Sequence, residues 1–505
     1  MKKAKCIVDR EYIIGDIDPR LSGSFIEHLG RAVYTGIYEP GHPLADEQGF
    51  RRDVLELVKQ LGVSIVRYPG GNFVSGYNWT DGIGPKENRP RRLDYAWLSV
   101  ETNEFGIDEF VDWCRKANAQ VMAAVNLGTG TPQDAGYMIE YCNHPSGTYW
   151  SDLRRKNGHE QPHNIKVWCL GNEMDGPWQI CSLTAEDYGK KARETAKIMK
   201  WVDPTIELVA CGSSTTWLPT YPEWDRIVLE HVYDDVDYIS LHRYYENEGD
   251  INDFLASFVN MDDFIHTVAS TADYVKAKKR SKKTLKLSFD EWNVWYQKQQ
   301  TRFPWEVAPP ILEDVYSFLD SLVVGGMLCT LLNNADRVKM ACQAQLVNVI
   351  APIYTQKGGK AIKQAIYYPF QHFSLYGKGK ALKTLMTCPS FESNLYGQAP
   401  ILQSAAAYHE ESGNLALFVL NCDQADSVEL KVDLRSFEKV RAVERIIMEG
   451  PDLNAKNTFE DPERVRPRSE SLSITEGVFT VVLPKLSWNV FRFSAGNLEN
   501  HSSCV

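Results

Sequence analysis

Two short segments carry the residue types that break glycosidic bonds. One is Cys169-Leu170-Gly171-Asn172-Glu173-Met174-Asp175-Gly176-Pro177-Trp178; the other is Leu287-Ser288-Phe289-Asp290-Glu291-Trp292-Asn293-Val294-Trp295. In each, a strand-forming run ends in a Glu with Asn, Gly or Trp beside it. Glycoside hydrolysis needs two such carboxyl groups. One protonates the departing oxygen, and the other attacks the anomeric carbon or activates water. Trp rings suit a sugar, because its C–H faces pack on aromatic surfaces. A surface Glu opening a loop would explain neither the strand before Glu173 nor the Gly-Pro-Trp after it. Asp290 competes with Glu291 for the second role. Successive strand residues face opposite sides, so only one of the two is expected to point into the site.

Other strand ends supply helpers. His242 and Tyr244, two apart at the end of Tyr238-Ile239-Ser240-Leu241-His242, share a face and can donate hydrogen bonds to a carboxylate. Arg67 precedes Tyr68-Pro69-Gly70-Gly71-Asn72 and can hold a carboxyl group ionised. The string His159-Glu160-Gln161-Pro162-His163 fits the zinc-peptidase pattern, but that pattern works only on a helix. Gly158 precedes it and Pro162 lies inside it, where proline removes a donor and clashes with the preceding turn. No metal and no cofactor are expected.

The elements that must position these groups alternate. Strands are expected at Gly23–Leu29, Ser64–Tyr68, Gln120–Leu127, Lys166–Leu170, Glu207–Cys211, Asp237–His242, Leu285–Asp290 and Val338–Gln343. Most are continuous apolar runs, as in parallel strands buried on both faces. Amphipathic stretches at Gly49–Leu61, Gly106–Ala117, Thr184–Trp201, Asp253–Lys279 and Leu312–Leu328 predict helices between them, Asp108 capping the second. Eight alternations predict an α/β fold, a (β/α)8 barrel over residues 18–380, with Gly70–Glu104 as a long loop at its catalytic end. Residues 381–497 read as short strands of a C-terminal antiparallel β-sandwich, jelly-roll-like, which residues 1–17 are expected to join. Residues 451–476 read as a surface loop, and 498–505 as a disordered tail.

A chain of 505 residues is long enough for more than one domain. Its net charge of -11 argues against nucleic acid or a membrane surface as partner. The most apolar stretch, Phe318 to Leu332, is too short to span a bilayer. The N-terminus has no apolar signal core, and eleven scattered cysteines form no paired pattern, which predicts reduced thiols in a cytoplasm.

Taken together, the two Glu segments, Gly23-Ser24-Phe25-Ile26-Glu27-His28-Leu29, Arg67-Tyr68-Pro69-Gly70-Gly71-Asn72-Phe73, Ala344-Gln345-Leu346-Val347-Asn348 and Leu483-Pro484-Lys485-Leu486-Ser487-Trp488 resemble glycoside hydrolase family 51 along nearly the whole chain. Those enzymes are mostly α-L-arabinofuranosidases. The resemblance implies Glu173 as acid/base after strand four and Glu291 as nucleophile after strand seven. It implies sugar-binding roles for Glu27, Asn72, Asn172, Tyr244 and Gln345, with Trp97 and Trp178 as subsite walls, and nothing for the variable Tyr296–Pro310. It also implies a carbohydrate partner, exo-acting retaining hydrolysis and a homo-oligomer, commonly a hexamer. A related barrel glycosidase acting on xylosides or β-glucans would use the same pair. Retention requires carboxyl groups about 5–5.5 Å apart, inversion about 6.5–9.5 Å.

Overall fold

The computed structural model describes residues 1–297, 305–475 and 477–495. Eight parallel strands close into a barrel. They are β1 (Gly23–Phe25), β2 (Ile65–Tyr68), β3 (Gln120–Val125), β4 (Val167–Leu170), β5 (Glu207–Ala210), β6 (Tyr238–Tyr245), β7 (Lys286–Val294) and β8 (Val338–Ala344). β2, β4 and most of β3 are buried on both faces, which explains their unbroken apolar sequences.

Three strands end well away from their expected ends. β1 is short because the amides beyond Ile26, which still donates to Arg67 O at 2.9 Å, leave the ladder: Glu27 N donates to the Gln345 side chain at 3.0 Å, and His28 N to Pro69 O at 3.0 Å. β6 and β7 run on together, pairing as far as Tyr245 with Val294. The register of β7 slips against both neighbours between Ser288 and Trp292. Such a bulge breaks strict alternation, and it falls on Asp290 and Glu291.

Helices Arg52–Leu61, Ile107–Ala117, Ala185–Val202 and Ser257–Lys279 lie close to their expected spans. The expected Leu312–Leu328 helix instead runs Phe318–Asn333, started by a reciprocal cap between Ser317 and Asp320. Helices Pro132–Asn143, Tyr149–Lys156, Glu223–Val232 and Tyr367–Tyr376 lie outside the five stretches given above. Asp108 does not cap its helix. Glu109 accepts the Gly106 amide at 2.9 Å, and Asp108 turns inward to Tyr141 and His163.

Beyond the barrel, nine strands form one mostly antiparallel sheet that folds over on itself. Phe479, on the last strand of the order, meets Phe491 on the third, with ring centroids 5.6 Å apart. Lys2–Asp16 inserts between Lys380–Thr387 and Val428–Arg435, antiparallel to the first and parallel to the second. Arg468–Glu470, within the stretch read as a surface loop, adds a short edge strand. Residues 498–505 and part of Tyr296–Pro310 lie outside the described residues. No described helix is long and apolar enough to cross a membrane.

Trp488 joins the two bodies. It is fully buried, and a Cβ on Gly325 of helix Phe318–Asn333 would stand 2.7 Å from its ring. Its indole N–H donates to the neutral His372 ring at 3.2 Å. Trp488→Ala should therefore cost about 3–5 kcal/mol of stability, read by denaturant unfolding. A loss under 1 kcal/mol would mean that this contact does not hold the domains together.

Candidate active site

At the C-terminal mouth of the barrel lies a pocket of about 400 Å³. Glu27, Asn72, Trp97, Glu173, Trp178, Tyr244, Glu291 and Gln345 line it, so eight of the residues singled out in the sequence converge there. They come from the ends of β1, β2, β4, β6, β7 and β8, where barrel loops build binding sites.

Glu173 leaves β4 through a sharp turn. Gly171 has φ 87° and Glu173 itself φ 42°, a left-handed conformation that glycine adopts freely and glutamate does not. The turn brings one carboxylate oxygen of Glu173 within 4.8 Å of one of Glu291. Trp178, 47% exposed, donates its indole N–H to Glu173 Oε2 at 2.6 Å.

Glu291 is held at both oxygens. Arg67 donates to Oε1 at 2.6 Å, and the Tyr244 hydroxyl to Oε2 at 2.8 Å. Burial pushes its carboxyl above the ordinary value; the His242 and Arg67 cations oppose that. Arg67 can only donate, so the geometry favours an ionised Glu291 as acceptor.

Of Asp290 and Glu291 only Glu291 lines the pocket, but the bulge in β7 breaks the simple alternation and lets Asp290 also reach the polar groups inside the barrel. Asp290 is buried beneath the pocket and accepts His242 Nε2–H at 2.8 Å, while His242 Nδ1 meets Glu173 Oε1 at 2.9 Å. A chain Asp290–His242–Glu173 thus runs under the cavity. Burial opposes a charged His242 ring, but Glu291, Asp290 and Glu173 together outweigh it and raise its pKa to about 10.

Glu27 forms the far wall. Its Oε1 accepts the Phe73 amide at 2.8 Å and the Trp97 indole at 3.0 Å. Burial, helped by the charges of Glu291 and Asp94, raises it to about 8 against those hydrogen bonds. Gly71 is required beside it, since a Cβ there would stand 2.5 Å from Glu27 Oε2. Asn172 sits deeper than the pocket surface, accepting from Arg67 at 2.6 Å and reaching Gln179 at 3.4 Å.

Sequence reasoning missed Trp217, Arg243 and the lining role of Trp295. Trp295 packs edge-on against Tyr244, with centroids 5.1 Å apart. The signal for Trp217 was present: an aromatic a few residues past a barrel strand.

Among the described residues, two groups have donor atoms close enough for a cation: Glu173, His242 and Glu291, and Asp108, His159 and His163. The first group is engaged in the bonds above. The second is remote from the pocket residues, its segment is not helical, and both Asp108 oxygens already accept from Tyr141 and His163.

The charge chain has a spectroscopic consequence. NMR of labelled histidine, assigned with His242→Asn, should show His242 as an imidazolium up to about pH 10. Asp290→Asn removes an anion from Nε2, so the ring should lose its proton at lower pH. A neutral His242 at pH 7 in the wild type would contradict the chain.

Residues 57–265 match the model of the α-L-arabinofuranosidase 1 domain, and 290–487 that of the α-L-arabinofuranosidase C-terminal domain. An intracellular exo-α-(1→5)-L-arabinofuranosidase of Bacillus subtilis is 55% identical over 97% of this chain and 99% of its own. An exo-α-(1→6)-L-arabinofuranosidase of Bifidobacterium longum is 47% identical over 97% of each chain. The solved structure of a family 51 α-L-arabinofuranosidase from Bifidobacterium longum superposes with TM-score 0.95 at 43% identity, covering 98% of this chain and 100% of that one. A family 44 xyloglucanase of Paenibacillus polymyxa, 12% identical with TM-score 0.61, shares the fold alone. With both carboxylate segments, the barrel and the sheet domain matched end to end, the chain belongs to glycoside hydrolase family 51, the α-L-arabinofuranosidases.

Proposed function

We infer that the protein is an exo-acting α-L-arabinofuranosidase that removes terminal non-reducing arabinofuranosyl residues by double displacement with retention. The carrying observation is the approach of Glu173 and Glu291 to within 4.8 Å at the mouth of one pocket. So close an approach of one oxygen from each supports the direct attack of a retaining enzyme.

In the first step a Glu291 oxygen bonds to the anomeric carbon as the glycosidic bond breaks. The departing oxygen takes the proton of Glu173. In the second, Glu173 takes a proton from water, whose oxygen replaces Glu291 at the same carbon. Arg67 and Tyr244 orient the nucleophile and stabilise the carboxylate when it leaves. His242, fixed by Asp290, positions Glu173 through Oε1. We assign Glu27, Asn72 and Gln345 to the sugar hydroxyls, and Asn172 Nδ2 to the 2-hydroxyl, where a hydrogen bond strengthens as the ring gains positive charge. Trp97 closes the pocket against Glu27, which suits a chain end over an internal unit.

Arabinan, arabinoxylan side chains and arabino-oligosaccharides all present such ends. The described cysteines are free thiols, and several relatives are named as intracellular, which supports action inside the cell on short oligosaccharides.

Three measurements test this reading. Product NMR should show the α-anomer first; initial β-product would refute retention. Glu173→Ala should keep the first step for aryl arabinosides with good leaving groups, lose polysaccharide hydrolysis, and be rescued by azide, whereas Glu291→Ala should lose the first step for all substrates, by about 10⁴-fold or more. Full activity of Glu173→Ala on arabinan would remove it as the acid. Family resemblance further leads us to propose a hexamer; sedimentation at the single-chain mass of 57.4 kDa would contradict it.

A further inference from the structure

A second cavity, of about 560 Å³, adjoins the catalytic pocket and shares Trp217, Arg243 and Tyr244 with it. Its position follows the chemistry. Glu27, Trp97 and Gln345 occupy the side of the pocket built by β1, β2 and β8, so the bound arabinose points that way. Glu173 stands on β4. The leaving group it protonates must therefore lie toward the loops after β5 and β6, which is where the second cavity opens.

Its walls suit a saccharide. Trp217 is 66% exposed, yet its ring is backed by the Arg243 guanidinium at 5.4 Å from the centroid. Arg243 is itself buried, packed on the Tyr245 ring at 4.7 Å and donating to Asn260 at 3.0 Å. The indole is thus presented as a supported flat face. On the far side of Arg243 from that ring stands Tyr396, its hydroxyl close to the guanidinium, from the hairpin Ser390–Ser393/Gly397–Pro400 of the C-terminal domain. That hairpin is pinned to the barrel: Asp253 accepts Ser393 Oγ at 2.7 Å and the Leu395 amide at 3.1 Å, and Asp250 accepts Asn394 Nδ2 at 2.8 Å. Glu246 and Glu248 add acceptors to the rim and leave the groove net acidic. Flat aromatic faces between carboxylates fit a neutral, hydroxyl-rich chain and disfavour an anionic one.

We propose that this groove binds the leaving-group saccharide beyond the scissile bond, Trp217 holding its first unit and Tyr396 of the C-terminal domain a later one. The enzyme then reads the length of a neutral oligosaccharide, although it cuts only the terminal sugar. The proposal rests on the assignment of Glu173 and Glu291 above.

The test measures kcat/KM for 4-nitrophenyl α-L-arabinofuranoside and for arabino-oligosaccharides of two, three and four units. In the wild type the value should rise with length beyond the disaccharide. Tyr396→Ala should abolish that rise, lowering the four-unit value about five- to tenfold, with the aryl substrate unchanged. Trp217→Ala should lower the value for every oligosaccharide, the disaccharide included. A wild-type value flat with length would overturn the subsite, as would a Tyr396→Ala loss equal on aryl and oligosaccharide substrates. A wild type inert on the aryl arabinoside would instead overturn the reading of the catalytic pair, and the subsite with it.

Discussion

A buried cation makes this site possible. Three carboxyl groups crowd at one small pocket, Glu173 and Glu291 lining it and Asp290 beneath it, and unpaired charges there would be very costly. Arg67 is buried to 1% exposure with its guanidinium over the Phe25 ring at 4.9 Å. It grips Glu291 and Asn172 at 2.6 Å each and lies 3.9 Å from Asp290. His242 supplies the second positive charge, between Glu173 and Asp290. Remove Arg67, and two like charges would face each other with only one cation between them.

The barrel turns that balance into geometry. Arg67 ends β2, His242 and Tyr244 lie on β6, and Glu291 lies on β7, so the network spans strands far apart in sequence. Each strand is held by its neighbours' ladders and by the apolar layer behind it. The polar cluster therefore cannot relax by moving one element alone. Glu27 extends the same logic outward: its carboxyl, raised to about 8, brings a hydrogen-bonding wall to the pocket without adding a full negative charge at neutral pH. The sheet domain is part of this architecture too. Its Trp488 seats against the helix that precedes β8, and its hairpin reaches the rim of the barrel mouth.

Much of this was legible in the chain itself. Unbroken apolar runs such as Val167–Leu170 betray parallel strands buried on both sides, and Gly171-Asn172-Glu173 marks a strand end that must turn. The spacing of His242 and Tyr244 placed both on one inward face. Other features had no local signature. The bulge that lets Asp290 reach the polar groups inside the barrel alongside Glu291 depends on register against two neighbouring strands. The short β1 follows from Gln345, more than three hundred residues away, capturing the Glu27 amide. Asp108 reads as a helix cap because its neighbours look like a helix start; its partner His163 arrives from a distant loop. Trp217 and Tyr396 come together only because two domains dock.

The most direct test of the account is covalent. Glu173→Ala, incubated with an aryl arabinoside bearing an excellent leaving group, should accumulate a pentosyl-enzyme, because the second step lacks its base. Peptide mapping by mass spectrometry should place the pentosyl group on Glu291. An adduct on Asp290, or none while the leaving group is still released in a burst, would contradict the pairing of Glu173 with Glu291.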